Sequence, residues 1–124
     1  MTASSKKLLI VGSNFRNQEL LSEFIERLGY GVTRVDDLAA MDQVLDDHQN
    51  IRFALVDITG FDQNVWERCV RLHSLDIPLL VISPKQSLAV RKMGFSHGAR
   101  TILEKPLVMR ELADTIHGFM RADE

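Results

Sequence analysis

The stretch Phe53-Ala54-Leu55-Val56-Asp57 decides the fold of this chain, because an unbroken apolar run ends there on a single carboxylate. A strand that is buried on both faces of a parallel sheet has such a continuous run, whereas a half-exposed strand alternates. Two further runs have the same form, and they are Leu8-Leu9-Ile10-Val11 before Gly12 and Pro78-Leu79-Leu80-Val81-Ile82 before Ser83. The three runs predict the central strands of a parallel sheet.

Between these runs the apolar residues recur every three to four positions, the spacing of an amphipathic helix. In the first helix the predicted inward stripe is Leu20, Leu21, Phe24, Ile25 and Leu28. Shorter strands are predicted at Tyr30–Val35 and Thr101–Leu103. The predicted helices are Phe15–Leu28, a segment from Asp36 or Asp37 to about Asp47, about Asn64 to His73, about Gln86 to Ser96, and Val108–Met120.

Alternating strands and helices predict an α/β fold, a doubly wound (βα)5 domain with a five-stranded parallel sheet covered on both faces. The chain of 124 residues fits one domain, residues 1–124, of which we expect 1–5 to be disordered. In sheets of this kind the ligand or reaction site lies beyond the carboxyl ends of the strands.

Composition excludes several classes of function. The formal net charge is −2, so we expect no direct nucleic-acid binding. No apolar run is long enough to span a membrane, and the polar start lacks a signal-peptide core. The only cysteine, Cys69, lies in an apolar helical stretch, where a small buried side chain is the simplest interpretation. We therefore expect a cytoplasmic domain.

Polar side chains at the predicted strand ends should converge. Asp57 and Ser83 end their strands, and Lys105 follows the last strand. A carboxylate, a hydroxyl and an ammonium would then meet at one edge of an apolar sheet. Simpler roles stay open at this point: Asp57 could serve only as the salt-bridge partner of Lys105, and Ser83 could cap the following helix.

These residues, together with Gly98-Ala99 and Lys105-Pro106, resemble the receiver domain of bacterial two-component response regulators over Leu8 to Met120. The resemblance implies a flavodoxin-like receiver topology. It also implies that Asp57 is the phosphoacceptor, that Ser83 hydrogen-bonds the phosphoryl group, that Lys105 pairs with Asp57 and with phosphoryl oxygens, and that the Lys105–Pro106 bond is cis.

The sequence departs from the family where Mg²⁺ would bind. The family has two acidic residues after the first strand, and this chain has Gly12 and Ser13 there. Magnesium prefers hard, charged oxygen ligands. The remaining candidate ligands are Asp57, the Thr59 backbone carbonyl and Ser13, so we expect Mg²⁺ to bind weakly at most. Opposite charges about 4 Å apart attract by about 4 kcal/mol at an effective dielectric constant of about 20, so Asp57 and Lys105 could satisfy each other without metal.

A second departure is Ile102, which stands where the family has its switch aromatic. Both departures favour an atypical, non-enzymatic receiver with weakened or absent Mg²⁺-dependent phosphorylation at Asp57. The alternative is a working phosphoacceptor that receives its phosphoryl group from a histidine kinase or phosphotransfer protein. A flavodoxin-like nucleotide-binding or enzymatic domain is remote, because Gly12 lacks a surrounding glycine-rich motif. An output domain, another protein or a second copy would bind through the last two β-α units, near Val90, Phe95, Ile102 and Leu107.

Overall fold

The computed structural model describes residues 7–85 and 87–121. It confirms the predicted α/β class, with five strands that alternate with five helices. The prediction that residues 1–5 are disordered lies outside the described residues, as does the predicted helix start at Gln86. The elements are β1 (Lys7–Val11), α1 (Phe15–Arg27), β2 (Gly31–Val35), α2 (Leu38–Asp46), β3 (Ile51–Asp57), α3 (Asn64–Ser74), β4 (Leu79–Ser83), α4 (Leu88–Ser96), β5 (Ala99–Glu104) and α5 (Met109–Met120).

The sheet is parallel, with strand order β2-β1-β3-β4-β5. Successive side chains of a strand point to opposite faces, which splits the core into two layers. Leu8 and Ile10 of β1 pack with α1 and α5 through Ile25 and Ile116. The next residues along β1 pack on the other face, with residues of α2 and α3 that include Met41, Leu45, Cys69 and Leu72.

Side-chain caps fix where three of the helices begin. Asn14 Oδ1 accepts from the backbone N–H of Asn17 at the start of α1, and Asp37 accepts from Ala40 at the start of α2. Ser87 Oγ caps α4 by accepting from the N–H of Val90. Each such cap satisfies a helix N–H that otherwise has no partner within the helix.

The inward stripe predicted for α1 was wrong at one position. Leu20 is 48% exposed, whereas Gln18 and Ser22 are buried against the sheet. Gln18, Ser22 and Ile25 share a helix face, so the buried face of α1 is rotated away from Leu20. This rotation leaves Leu20 at the rim of a cavity beside Asp57.

Ile102 of β5 is buried beneath α4. Gly94 provides the space: a Cβ built on Gly94 would lie 2.5 Å from Ile102 Cδ1. The Gly94–Ile102 contact therefore allows α4 to pack close to β5, with the isoleucine filling the room that the glycine leaves.

Cys69 is fully buried in α3, as predicted, and burial raises the pKa of its thiol to about 12. Within residues 7–85 and 87–121, no helix has the length and apolar character needed to cross a membrane.

Candidate functional site

The carboxyl edge of the sheet brings together the three side chains that the sequence singled out. Asp57 ends β3 and is in register with Ile82, directly before Ser83 at the end of β4. Ser83 is in register with Glu104, directly before Lys105. The backbone N–H of Lys105 donates to the carbonyl of Ser83 at 2.9 Å, which extends the β4–β5 pairing by one residue.

Asp57 is already engaged on both carboxylate oxygens. Its Oδ2 lies 2.7 Å from Lys105 Nζ, and its Oδ1 accepts from the backbone N–H of Thr59 at 3.0 Å. Lys105 Nζ also donates to Thr59 Oγ1 at 3.3 Å. The side chain of Asp57 is 16% exposed and that of Lys105 is 27% exposed, so solvent screens their attraction incompletely. Asp57, Thr59 and Lys105 thus form a small closed cluster whose formal charge is zero.

The Lys105–Pro106 peptide bond is cis, as the family resemblance implied. Ser83 has a local role in this structure. Its buried hydroxyl accepts from the backbone N–H of Lys85 at 3.2 Å and donates to the carbonyl of Lys85 at 2.7 Å. The alternative in which Ser83 caps the following helix was wrong, because Ser87 makes the cap of α4.

Ser13 joins the loop after β1 to the loop after β3. Its hydroxyl donates to the Thr59 carbonyl at 2.9 Å, so the carbonyl predicted as a metal ligand already accepts a hydrogen bond. The next residue, Gly60, has a φ of +84° and lies against this bond: a Cβ built on Gly60 would be 2.5 Å from Ser13 Oγ. Only glycine fits this position, since other residues meet both an unfavourable φ and the serine hydroxyl.

Gln18 is a buried polar residue that the sequence analysis missed. Its Nε2 donates to the carbonyls of Gly12 and Val35, and to that of Ile10 at 3.4 Å, which ties α1 to the ends of β1 and β2. Its Oε1 is buried and has no hydrogen-bond partner among the described residues. The signal that could have found it is spacing: Gln18 lies one and two helical turns before Leu21 and Ile25, which belong to the predicted inward stripe of α1.

The arrangement does not suit Mg²⁺. Among residues 7–85 and 87–121, no group of three or more His, Cys, Asp and Glu side chains is placed to hold a metal ion. Gly12 supplies no side chain, the Ser13 hydroxyl is directed to Thr59, and Asp57 is paired with an ammonium. Without carboxylates at positions 12 and 13, the site lacks the charged oxygen ligands that suit near-octahedral Mg²⁺.

Asp62, in the loop after β3, has a local role too. Its Oδ1 accepts from the backbone N–H of Asn64 at 2.9 Å, where the chain enters α3. This contact fits an exposed loop residue that orders the start of a helix.

Comparison with known proteins shows which sequences and folds this chain is similar to. No protein-family model matches the chain. The chain is 27% identical over 125 residues to the transcriptional regulatory protein GltR of Pseudomonas aeruginosa, and the match covers 98% of this chain and 51% of GltR. It is also 27% identical over 120 residues to the response regulator MprA of Mycobacterium bovis, covering 94% of this chain and 51% of MprA. The chain therefore spans about half the length of these relatives.

The fold matches as well. A response regulator receiver domain protein (CheY-like) from Methanospirillum hungatei superposes with a TM-score of 0.85 at 21% identity, covering 96% of both chains. This likeness shows the five-stranded architecture and the strand order as a shared fold. The chain thus has the fold of a CheY-like receiver domain, and its sequence is similar to those of the regulatory proteins GltR and MprA.

Proposed function

We infer that this receiver domain signals without Mg²⁺-dependent phosphorylation of Asp57. The observation that carries the proposal is the absence of acidic side chains at Gly12 and Ser13, so that no group of acidic side chains among the described residues is placed to hold Mg²⁺ beside Asp57. An acceptor must present a free oxygen to an anionic phosphoryl group, and phosphoryl transfer depends on positioned positive charge. Without a bound Mg²⁺, the Lys105 ammonium is the positive charge that the described residues bring to Asp57, and it would have to balance the carboxylate as well as the phosphoryl group.

The Ser13–Thr59 hydrogen bond supports the same proposal. It joins the loops after β1 and β3 through a contact between two neutral groups. A cation bound between these loops would need charged ligands instead. Gly60 leaves room for that contact, because it has no Cβ to clash with Ser13 Oγ. The domain would then work as a preformed binding module, a switch component rather than an enzyme, and we place it in the cytoplasm.

A working phosphoacceptor is the second candidate, because Asp57, Ser83 and Lys105 occupy the matching positions at one sheet edge. In that case a histidine kinase or phosphotransfer protein would supply the phosphoryl group. Ser83 would then have to leave the Lys85 backbone groups that it now contacts in order to reach a phosphoryl oxygen. The two candidates differ in one measurable product, an aspartyl phosphate on Asp57.

The experiment is incubation of the purified chain with a small acyl phosphate and MgCl₂, followed by intact-mass analysis. Asp57→Asn is the matched control, since it keeps the side-chain shape and removes the nucleophile. We expect the wild type to carry no more hydroxylamine-labile adduct than the Asp57→Asn variant. A receiver domain known to be phosphorylated, treated in parallel, shows that the donor is active. A stoichiometric adduct that is lost with Asp57→Asn would contradict the proposal and favour the second candidate.

Under either candidate, we place the partner on the last two β-α units. Leu88 and Phe95 of α4 are 70% and 46% exposed and lie two helical turns apart on one face. Of the other residues expected near this surface, Ile102 is buried, and Val90 and Leu107 are half-buried. An output domain, another protein or a second copy of the chain would contact Leu88 and Phe95.

A further inference from the structure

A second feature of the sheet edge is a cavity of about 280 Å³ between α1 and the segment that follows β5. Its walls are mostly apolar and include Leu20, Leu21, Pro106, Leu107 and Met109. Leu20 and Met109 are 48% and 41% exposed, so the cavity opens to solvent between them. Small-molecule sites commonly have this form, a concave apolar volume with a few placed polar groups.

The inner end of this cavity is polar. Asp57 and Lys105 form part of its lining. A smaller cavity of about 20 Å³ adjoins it, and the two share Asn17, Leu21, Asp57 and Ile82 as walls. Gln18 lines the smaller cavity, and its buried Oε1 has no hydrogen-bond partner among the described residues.

The orientation of the Gln18 amide is fixed by its surroundings. Its Nε2 faces three backbone carbonyls, so exchanging the amide nitrogen and oxygen would set an oxygen against them. Oε1 is therefore an acceptor that needs a donor. A buried acceptor without a donor is unfavourable, which gives a hydrogen-bond-donating group an advantage at this position.

We propose that the two adjoining cavities bind a small amphipathic molecule with an apolar body and a neutral, hydrogen-bond-donating head such as a primary amide. The body would pack against Leu20, Leu21 and Met109. The head would donate toward Asp57, and a water molecule in the smaller cavity, which has room for about one, would link the head to Gln18 Oε1. A neutral head is specified because Asp57 and Lys105 already cancel each other's charge at 2.7 Å. The proposal goes beyond the signalling role and holds whether or not Asp57 accepts a phosphoryl group.

Hexanamide tests the proposal, and N,N-dimethylhexanamide is its matched control because it has the same chain and no N–H. We would titrate each into the ¹⁵N-labelled chain and follow the amide resonances of Asn17, Gln18, Leu21 and Leu107. For a probe of this size we expect millimolar dissociation constants, with hexanamide binding about three- to tenfold more tightly than the dimethyl compound. Equal affinities for the two probes would overturn the assignment of the head, since a water molecule alone would then satisfy Gln18.

Two variants locate the binding. Leu20→Trp should fill the mouth of the cavity and weaken hexanamide binding by about tenfold or more, and Met109→Trp should do the same from the opposite wall. Val70→Trp adds the same side chain at a position of similar exposure on α3, and it should leave binding unchanged. Each variant is first shown to be folded by its ¹⁵N spectrum. Unchanged binding in both Leu20→Trp and Met109→Trp, or shifts confined to other parts of the chain, would overturn the proposal.

Discussion

Replacing Gly12 by aspartate should give this site the metal response that we expect the natural chain to lack. Gly12 is buried at the end of β1 and does not have a positive φ. A Cβ built there would be 3.5 Å from Gln18 Cδ and 3.6 Å from Asp57 Cβ, which are ordinary contact distances. The substitution therefore fits sterically, and its effect should come from charge. Gly12→Asn is the matched neutral control.

The magnitude follows from the separation of the two carboxylates. With Cβ atoms 3.6 Å apart, the carboxylates can lie about 5 Å apart, where like charges repel by about 3 kcal/mol at an effective dielectric constant of about 20. Lys105 offsets part of this repulsion. We therefore expect Gly12→Asp to be about 1–2 kcal/mol less stable than Gly12→Asn without divalent cations. Mg²⁺ at ten times its dissociation constant should restore about 1.4 kcal/mol to the aspartate variant alone.

The assay is urea unfolding at pH 7 with 10 mM MgCl₂ or with NaCl of equal ionic strength. The midpoint should rise with Mg²⁺ for Gly12→Asp and stay fixed for the wild type and Gly12→Asn. A wild type that gains as much stability from Mg²⁺ as Gly12→Asp would refute the reasoning, because the site would then bind the ion without the added acid. A Gly12→Asp variant that does not respond would show that the missing carboxylate is not what limits binding.

Three further predictions concern the scaffold that holds the site. Gly98 and Gly29 have φ values of +101° and +102°, but only at Gly98 would a Cβ lie as close as 2.7 Å to a neighbouring atom. Alanine should lower the free energy of unfolding by about 1–2 kcal/mol at Gly29 and by about 2–4 kcal/mol at Gly98, as measured by urea unfolding. Equal losses of stability at the two positions would show that the steric clash at Gly98 has no effect. Gly94→Ala should destabilise the fold by about 1–2 kcal/mol, because the new Cβ would clash with Ile102 Cδ1. Adding Ile102→Val removes Cδ1 and should relieve that clash. If the losses of stability from the two substitutions simply add in a double-mutant cycle, this explanation is wrong. Burial raises the pKa of the Cys69 thiol to about 12, so only about one molecule in 10⁴ carries the thiolate at pH 8. A thiol reagent should therefore label Cys69 only as fast as the chain unfolds. Rapid labelling in the absence of urea would contradict the burial of Cys69.

The sequence was sufficient for the parts of the structure that depend on periodicity. Continuous apolar runs identified the buried strands, and the order of β-α units placed Asp57, Ser83 and Lys105 at one edge. These residues end strands or directly follow them, so the topology determines where they lie. The pairing of Asp57 with Lys105 was foreseen for the same reason.

Contacts made by loops were beyond the reach of the sequence. The Ser13–Thr59 hydrogen bond joins residues 46 positions apart, and it depends on the paths of two loops that no periodic pattern records. The local hydrogen bonds of Ser83 were missed because two serines, Ser83 and Ser87, compete for the cap of α4. Gln18 was missed for a different reason. A polar residue within a helical stripe is usually assigned to the solvent side, and here the ends of β1 and β2 offered it buried carbonyl partners.

The contacts of Ser13, Gly60 and Lys105 show how the site is arranged without the two acidic residues after β1. If the acids at positions 12 and 13 had been lost and nothing had replaced them, the site would keep the Asp57–Lys105 pair that the family resemblance implies, but the Thr59 carbonyl would be free. Instead the Ser13 hydroxyl donates a hydrogen bond to the Thr59 carbonyl. Gly60 has neither the side chain nor the φ restriction that would disturb that hydrogen bond. Each group that a cation would have served has a partner within the chain, which is expected of a site that is stable without a metal. This is why we propose partner binding at α4, and not phosphorylation of Asp57, as the way in which this domain carries a signal.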